Sequence, residues 1–252
     1  MQIFFVDIKN LTEFDLSQEI LCDCLDQREL KRLYNTKQNK SRLQFIIGRI
    51  LLKSVLCERL YCKPKDIQMN INEKGRPELT FNQDVQFNLT HSKDIVLVAV
   101  GNSKLGVDVE YMKERNYLEI AKHFFSQEEY AQLKENTCDL SVMFYSLWTL
   151  KEAYVKYLGQ SLFDRKIQIR FQMRSKHKLF PQNTNANVDF WTYALNDEYV
   201  FSVLTEQADW KNEKETLQIF KMNCVINNSS QQKLFWEKEE YLNASLLYTR
   251  SD

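Results

Sequence analysis

The alternation at residues 105–110, LGVDVE, leaves the chain one regular way to run. With a side-chain period of two, Val107 and Val109 share one face of a strand and turn into a core, while Asp108 and Glu110 stand side by side on the other, exposed face. Just upstream, residues 95–100 read IVLVAV, apolar at every position, and predict a strand lying inside the core. Residues 144–159, FYSLWTLKEAYVKYLG, change to a helical period, with Trp148, Glu152 and Lys156 spaced by four along one stripe. If that stripe faces the strand, Glu152 joins Asp108 and Glu110, and the Lys156 ammonium stands beside them. Three carboxylates offer the oxygen ligands that Mg²⁺ takes, usually shared with water and with the phosphates of a substrate. The pattern points to a phosphate-handling site.

Each part of that site also has an ordinary structural reading. DVE on a strand can be solvent-facing alternation, and Glu152 with Lys156 can be a helical ion pair contributing about 0.3–0.5 kcal/mol.

Composition limits partners and compartment. The 34 basic and 34 acidic residues cancel, so no global field draws the chain to nucleic acid or to an acidic membrane, and neither is expected as a partner. The six Cys, at 22, 24, 57, 62, 138 and 224, have neither the paired spacing of a zinc site nor the density of a secreted disulfide scaffold, which predicts reduced thiols and a cytoplasmic setting. The opening MQIFFVDIKN has too short an apolar run for a signal peptide and reads as a strand. The apolar region at residues 45–56 is broken by Arg49 and Lys53, so no membrane span is expected. With 44% apolar residues, the 252-residue chain can bury one large core or two small ones, and a monomer is expected.

Taken in order, a strand at 2–8 leads to a helix at 17–34, with Ser17 as N-cap, and to a second helix at 37–60. In the second, Leu43, Ile46, Ile47, Ile50, Leu51 and Val55 form a buried face, while Arg42, Arg49 and Lys53 form a basic stripe suited either to solvent or to an anion. Residues 72–77, NEKGRP, make a turn around Gly75 between strands at 67–71 and 78–81. The segment FNLTHS at 87–92 is a strand ending in His91, flanked by Thr90 and Ser92, a group that fits either a structural cap or a phosphate. A helix at 117–125 follows, then a capping box formed by Ser126 and Glu129. The helix at 139–158 buries Leu140, Met143, Leu147, Leu150, Tyr154 and Leu158 and ends at Gly159. Strands are predicted at 167–172, 188–195, 199–204 and 216–221, with a polar loop at 181–187 and a tail after 227 that carries no chemical signature.

Helices then strands, twice, predict an α+β protein of two subdomains with a site between them. The five glycines form neither a P-loop nor a dinucleotide fingerprint, and there is no HExxH or GxSxG.

The ordered set GRP at 75–77, FNLTHS at 87–92, GVDVE at 106–110, FFSQEEY at 124–130 and WTLKEAYVK at 148–156 resembles the Sfp-type 4′-phosphopantetheinyl transferases. The resemblance implies a pseudo-dimer of two similar α/β subdomains, here residues 1–104 and 105–252, with coenzyme A in the cleft between them. It implies transfer of 4′-phosphopantetheine to a serine of an apo acyl or peptidyl carrier protein, with release of adenosine 3′,5′-bisphosphate. By the same resemblance Asp108, Glu110 and Glu152 hold Mg²⁺, and Glu152 also deprotonates the carrier serine. Lys156 neutralises the leaving phosphate, while Arg76, Thr90 and His91 hold coenzyme A. The motifs do not extend to Arg28, Lys31, Arg42 or Arg49, nor past about residue 205. A non-catalytic carrier-binding module of the same fold and a Mg²⁺-dependent phosphohydrolase are the alternatives.

Overall fold

The computed structural model describes residues 1–12, 18–73, 76–82, 84–135, 139–159, 169–175, 178–182, 187–206, 217–227, 233–241 and 243–250. The first half runs β1 (Gln2–Asp7), α1 (Gln18–Cys24), α2 (Gln27–Asn35), α3 (Asn39–Leu60), the hairpin β2 (Met69–Ile71) and β3 (Pro77–Leu79), then β4 (Gln86–Ser92) and β5 (Ile95–Gly101). The second half begins with β6 (Leu105–Tyr111), α4 (Tyr117–Phe124), α5 (Gln127–Glu135) and α6 (Leu140–Leu158). It continues with β7 (Arg170–Ser175), β8 (Lys178–Gln182), β9 (Val188–Leu195) and β10 (Tyr199–Glu206), and the chain then adds β11 (Gln218–Asn227), β12 (Lys233–Glu240) and β13 (Ser245–Arg250).

Besides the two-stranded β2-β3 hairpin, two larger sheets form among the described residues, one ordered β12-β11-β1-β5-β4 and the other β6-β10-β9-β13-β8-β7. The unbroken apolar sequence of β5 has a direct cause in their stacking. Val96, Val98 and Val100 join Phe4 and Val6 of β1 under the apolar face of α3, while Ile95, Leu97 and Ala99 join Ile3 and Phe5 against the second sheet. The second sheet answers with Val107 and Val109 of β6 and Phe201 and Val203 of β10. Its far side packs Phe171, Phe190, Val200 and Leu204 against Met143, Leu147, Leu150 and Ala153 of α6. The layers are therefore α3, sheet, sheet, α6, an α+β arrangement of two halves of similar plan. Fully burying an aliphatic or aromatic side chain contributes roughly 1.5–3 kcal/mol, so the sheet-to-sheet face holds the halves together. Among the described residues no helix is long and apolar enough to cross a membrane.

Several expectations change. The helix expected at 17–34 is two helices, because Asp26 caps α2: its Oδ1 accepts the Glu29 N–H at 2.8 Å and Glu29 Oε2 accepts the Asp26 N–H at 3.0 Å. Ser17 and Gly75 lie outside the described residues. Pro181 and Gln182 end β8 instead of opening a loop. The tail, assigned with residues 105–252 to the second unit, is shared: β11 and β12 extend the first sheet and β13 joins the second. The strand pairing that does this, β1 beside β11 in parallel, joins residues too far apart in sequence for a local pattern to announce it.

Candidate active site

The two sheets meet at their edge strands, β4 and β6, through side chains. Every second residue of β4 reaches across. Asn88 Oδ1 accepts the Val107 N–H at 3.1 Å, and the Thr90 hydroxyl donates to Asp108 Oδ1 at 3.1 Å. Ser92 Oγ accepts the Tyr111 N–H at 3.1 Å and donates to Glu110 Oε2 at 2.9 Å. On the other side α6 crosses β6 at Gly106, where a Cβ would stand 2.1 Å from Ala153 O and 2.5 Å from Tyr157 N. Only glycine admits that approach. By the period of two, Gly106 shares its face with Asp108 and Glu110, so the helix turn bearing Glu152 and Lys156 lies over the acids.

The exposed setting expected for Asp108 is not found. The residue is 6% exposed, because α6 and the polar side chains of β4 close over that face. Its Oδ1 receives Lys156 Nζ at 2.7 Å besides the Thr90 hydroxyl, whereas its Oδ2 is buried with no hydrogen-bond partner. An orphaned carboxylate oxygen in a protein interior is costly and calls for a cation or donor. Burial first, then repulsion by Asp108, pushes the half-buried Glu152 up to about 8, with Lys156 opposing the shift and Glu110 adding to it. Burial and Asp108 also raise the pKa of Glu110, against the Ser92 hydrogen bond. The fold thus brings Asp108, Glu110, Glu152 and Lys156 into one electrostatic group. Among the described residues, however, no three acidic, His or Cys side chains are gathered closely enough to grip a metal ion.

The expected coenzyme A residues are placed less uniformly. Thr90 is buried and gives its hydroxyl to Asp108. His91 keeps an open surface on β4, although crowding by the fold and then the Lys156 charge lower its pKa. Arg76 is turned inward. Its guanidinium donates to the carbonyls of Lys156 (3.2 Å), Tyr157 (3.3 Å), Phe87 (3.4 Å) and Leu105 (3.2 Å). It thereby satisfies carbonyls at the end of α6 beside Gly159, which caps that helix at φ 70°. As placed, these donors are spent on main chain and not offered to a phosphate. The basic stripe of α3 is neither a solvated face nor a free anion site: Lys53 Nζ lies 2.7 Å and Arg49 Nε 3.4 Å from the Glu29 carboxylate. Arg42 Nη1 donates to Leu33 O at 3.3 Å.

Sequence reasoning missed a second buried ion pair beside the site. Glu129, read there only as half of a capping box, accepts the Ser126 N–H (2.8 Å), the Phe171 N–H (2.8 Å) and Lys151 Nζ (3.0 Å). Lys151 also donates to Ile169 O at 2.7 Å, tying α6 to the approach to β7 next to Glu152. With Phe124, Phe125, Trp148 and Glu152 it lines a cavity of about 110 Å³. Gly106 was the available signal for the helix crossing, as a residue without a side chain on the acidic face.

The arrangement defines a class: a doubled α+β protein with surplus carboxylates and one ammonium at the seam between its halves, suited to handling phosphate with a divalent cation. The chemistry of the donor set and the orphaned Asp108 Oδ2 fit such a cation. Residues 104–210 match the 4′-phosphopantetheinyl transferase superfamily, and residues 15–103 match the 4′-phosphopantetheinyl transferase N-terminal domain. The chain is 33% identical over 188 residues to 4′-phosphopantetheinyl transferase Sfp of Bacillus subtilis strain 168, spanning 73% of this chain and 83% of that protein. It is 32% identical over 125 residues to 4′-phosphopantetheinyl transferase gsp of Aneurinibacillus migulanus, 49% of this chain and about half (52%) of the relative. Over 238 residues, 90% of this chain and 100% of the relative, it is 25% identical to 4′-phosphopantetheinyl transferase psf-1 of Bacillus pumilus. The chain belongs to the Sfp-type 4′-phosphopantetheinyl transferase family.

Proposed function

We propose that the protein is a cytoplasmic, monomeric enzyme that moves 4′-phosphopantetheine from coenzyme A to a serine of an apo acyl or peptidyl carrier protein. In the reaction the serine oxygen bonds to the phosphorus bearing pantetheine, the diphosphate bond breaks, and adenosine 3′,5′-bisphosphate leaves. The observation that carries this reading is Asp108, buried at the seam with one oxygen held by Lys156 and Thr90 and the other unpartnered. Asp108, Glu110 and Glu152 would hold Mg²⁺, which when bound neutralises the diphosphate and offsets the repulsion among the acids.

The chain's own residues supply the rest. Glu152, half-buried on α6, takes the serine proton, directly or through water. Lys156, 29% exposed at its side chain, presents its ammonium to charge developing on the leaving phosphate. Thr90, His91 and Arg76 are the coenzyme A candidates from family resemblance; of these His91 has the accessible side chain, and Arg76 would first have to release main-chain carbonyls. Phosphoryl-type transfer depends chiefly on positioning and charge neutralisation, which such a group provides.

The test is incubation with coenzyme A, Mg²⁺ and an apo carrier protein, followed by intact mass. A gain of one phosphopantetheine on the carrier, with adenosine 3′,5′-bisphosphate in solution, is the expected result. Carrier binding without modification would mark a non-catalytic module, and cleavage of coenzyme A with an unmodified carrier would mark a phosphohydrolase.

A further inference from the structure

Ser92 ends β4, the edge strand of the first sheet, and both capacities of its hydroxyl are committed across the seam. Its oxygen accepts the Tyr111 N–H at 3.1 Å, and its single proton goes to Glu110 Oε2 at 2.9 Å. The sequence reading offered this hydroxyl to a phosphate; the geometry gives it to a carboxylate instead. The main-chain bond fixes the oxygen, and from there the O–H reaches the carboxylate of the residue before Tyr111. Glu110 is a long, half-buried side chain, and this bond anchors its Oε2 at the seam with β4.

We infer that Ser92 is a positioning residue that pre-orients Glu110 for cation binding, linking the edge of the first sheet to the acid group of the second. The inference rests on the proposed role of Glu110 as a cation ligand and deepens it. Groups that hydrogen-bond to a metal-binding carboxylate reduce the freedom it must lose when the ion arrives, and removing them commonly weakens metal affinity about 10- to 100-fold. Thr90 makes the corresponding bond to Asp108, but Thr90 is also a coenzyme A candidate, so its substitution would confound two effects. Ser92 does not have that ambiguity.

The experiment measures binding, independently of turnover. Mn²⁺ is titrated into the full-length protein with coenzyme A present, and free Mn²⁺ is counted by electron paramagnetic resonance. The proteins compared are the wild type, Ser92→Ala, Ser92→Thr, Glu110→Gln, Glu110→Ala and the Ser92→Ala/Glu110→Ala double variant. Ser92→Ala should raise the Mn²⁺ dissociation constant about 10-fold, and Ser92→Thr, which keeps the hydroxyl, should stay within about twofold of wild type. In the Glu110→Ala background Ser92→Ala should produce no further loss, since the side chain through which it acts is gone. Wild-type affinity in Ser92→Ala, or an equal loss in both backgrounds, would overturn the inference while leaving the cation site standing. Unchanged Mn²⁺ binding in Glu110→Gln would overturn the cation role of Glu110 itself. Should Ser92→Ala not fold, Ser92→Cys, which keeps the size but donates weakly, takes its place with the same expected loss.

Discussion

Beneath α3 the buried charge is over-matched, whereas beneath α6 it is under-matched. Glu29 has Lys53 at 2.7 Å and Arg49 at 3.4 Å, two cations to one acid, all three shielded from water. Under α6, among the described residues, the three acids Asp108, Glu110 and Glu152 have Lys156 and, acting on Glu110, Arg115, and one Asp108 oxygen has no partner. The plan of the halves is similar: a long helix laid across a sheet, with ionic groups where helix and sheet meet. An uncompensated buried charge is expensive, so the first arrangement reads as structure completed within the chain. The second leaves acid charge uncompensated within the chain. The same elements serve support on one side and chemistry on the other, according to whether the charges close among themselves.

The sharpest way to break this contrast is Glu29→Gln. It strands the Lys53 ammonium, 2% exposed, and should lower the unfolding free energy by about 3–5 kcal/mol, read by urea unfolding. A loss under about 1 kcal/mol would mean that Lys53 finds water, and the first half would no longer differ from the second.

Asp108→Asn is the counterpart under α6. Transfer to an apo carrier should fall about 100-fold or more, while unfolding free energy moves by less than about 1 kcal/mol, because the partly exposed Lys156 can be rehydrated. Unimpaired transfer would remove Asp108 from the site.

The smallest effect is in pH dependence. The Glu152 carboxyl titrates ordinarily near 4.5 and near 8 in the metal-free fold. Between those values the native chain keeps a proton that the unfolded chain has released. Stability of the metal-free protein should therefore fall as pH rises through that window and level off above it. Thermal unfolding of Glu152→Gln should lack this contribution, and a slope identical to wild type would show that Glu152 is not the group responsible. At neutral pH the same substitution should leave coenzyme A bound but slow its transfer, even at saturating Mg²⁺, if the residue is the base as well as a ligand.

What could be read in advance follows the range of the interactions involved. Periods of two and of nearly four belong to single elements, so β4, β5, β6 and α6 were legible, as were the Ser126 capping box and the Gly159 cap. The Asp26–Glu29 box was equally local and was overlooked, which is why one helix was expected where two exist. The grouping of Asp108, Glu110, Glu152 and Lys156 was anticipated by supposing that one helix stripe faces one strand. The burial of Asp108 was not, since it depends on β4 closing the opposite side. Nor could periodicity show that Arg76 would spend itself on carbonyls of α6, or that Lys53 would meet Glu29: both partners come from other elements.

The parallel pairing of β1 with β11 sets an order of events during synthesis. Gln2 lies opposite Gln218, so β1 has one edge that cannot be covered until β11, far along the chain, has been made. Its other neighbour, β5, arrives much earlier and can pair at once, leaving an open flank on a half-built sheet. Contacts between distant residues close slowly, and an unpaired edge invites other chains in the interval. β11 and β12, which hold none of the candidate site residues, thus act as a late seam for the sheet that β1 begins.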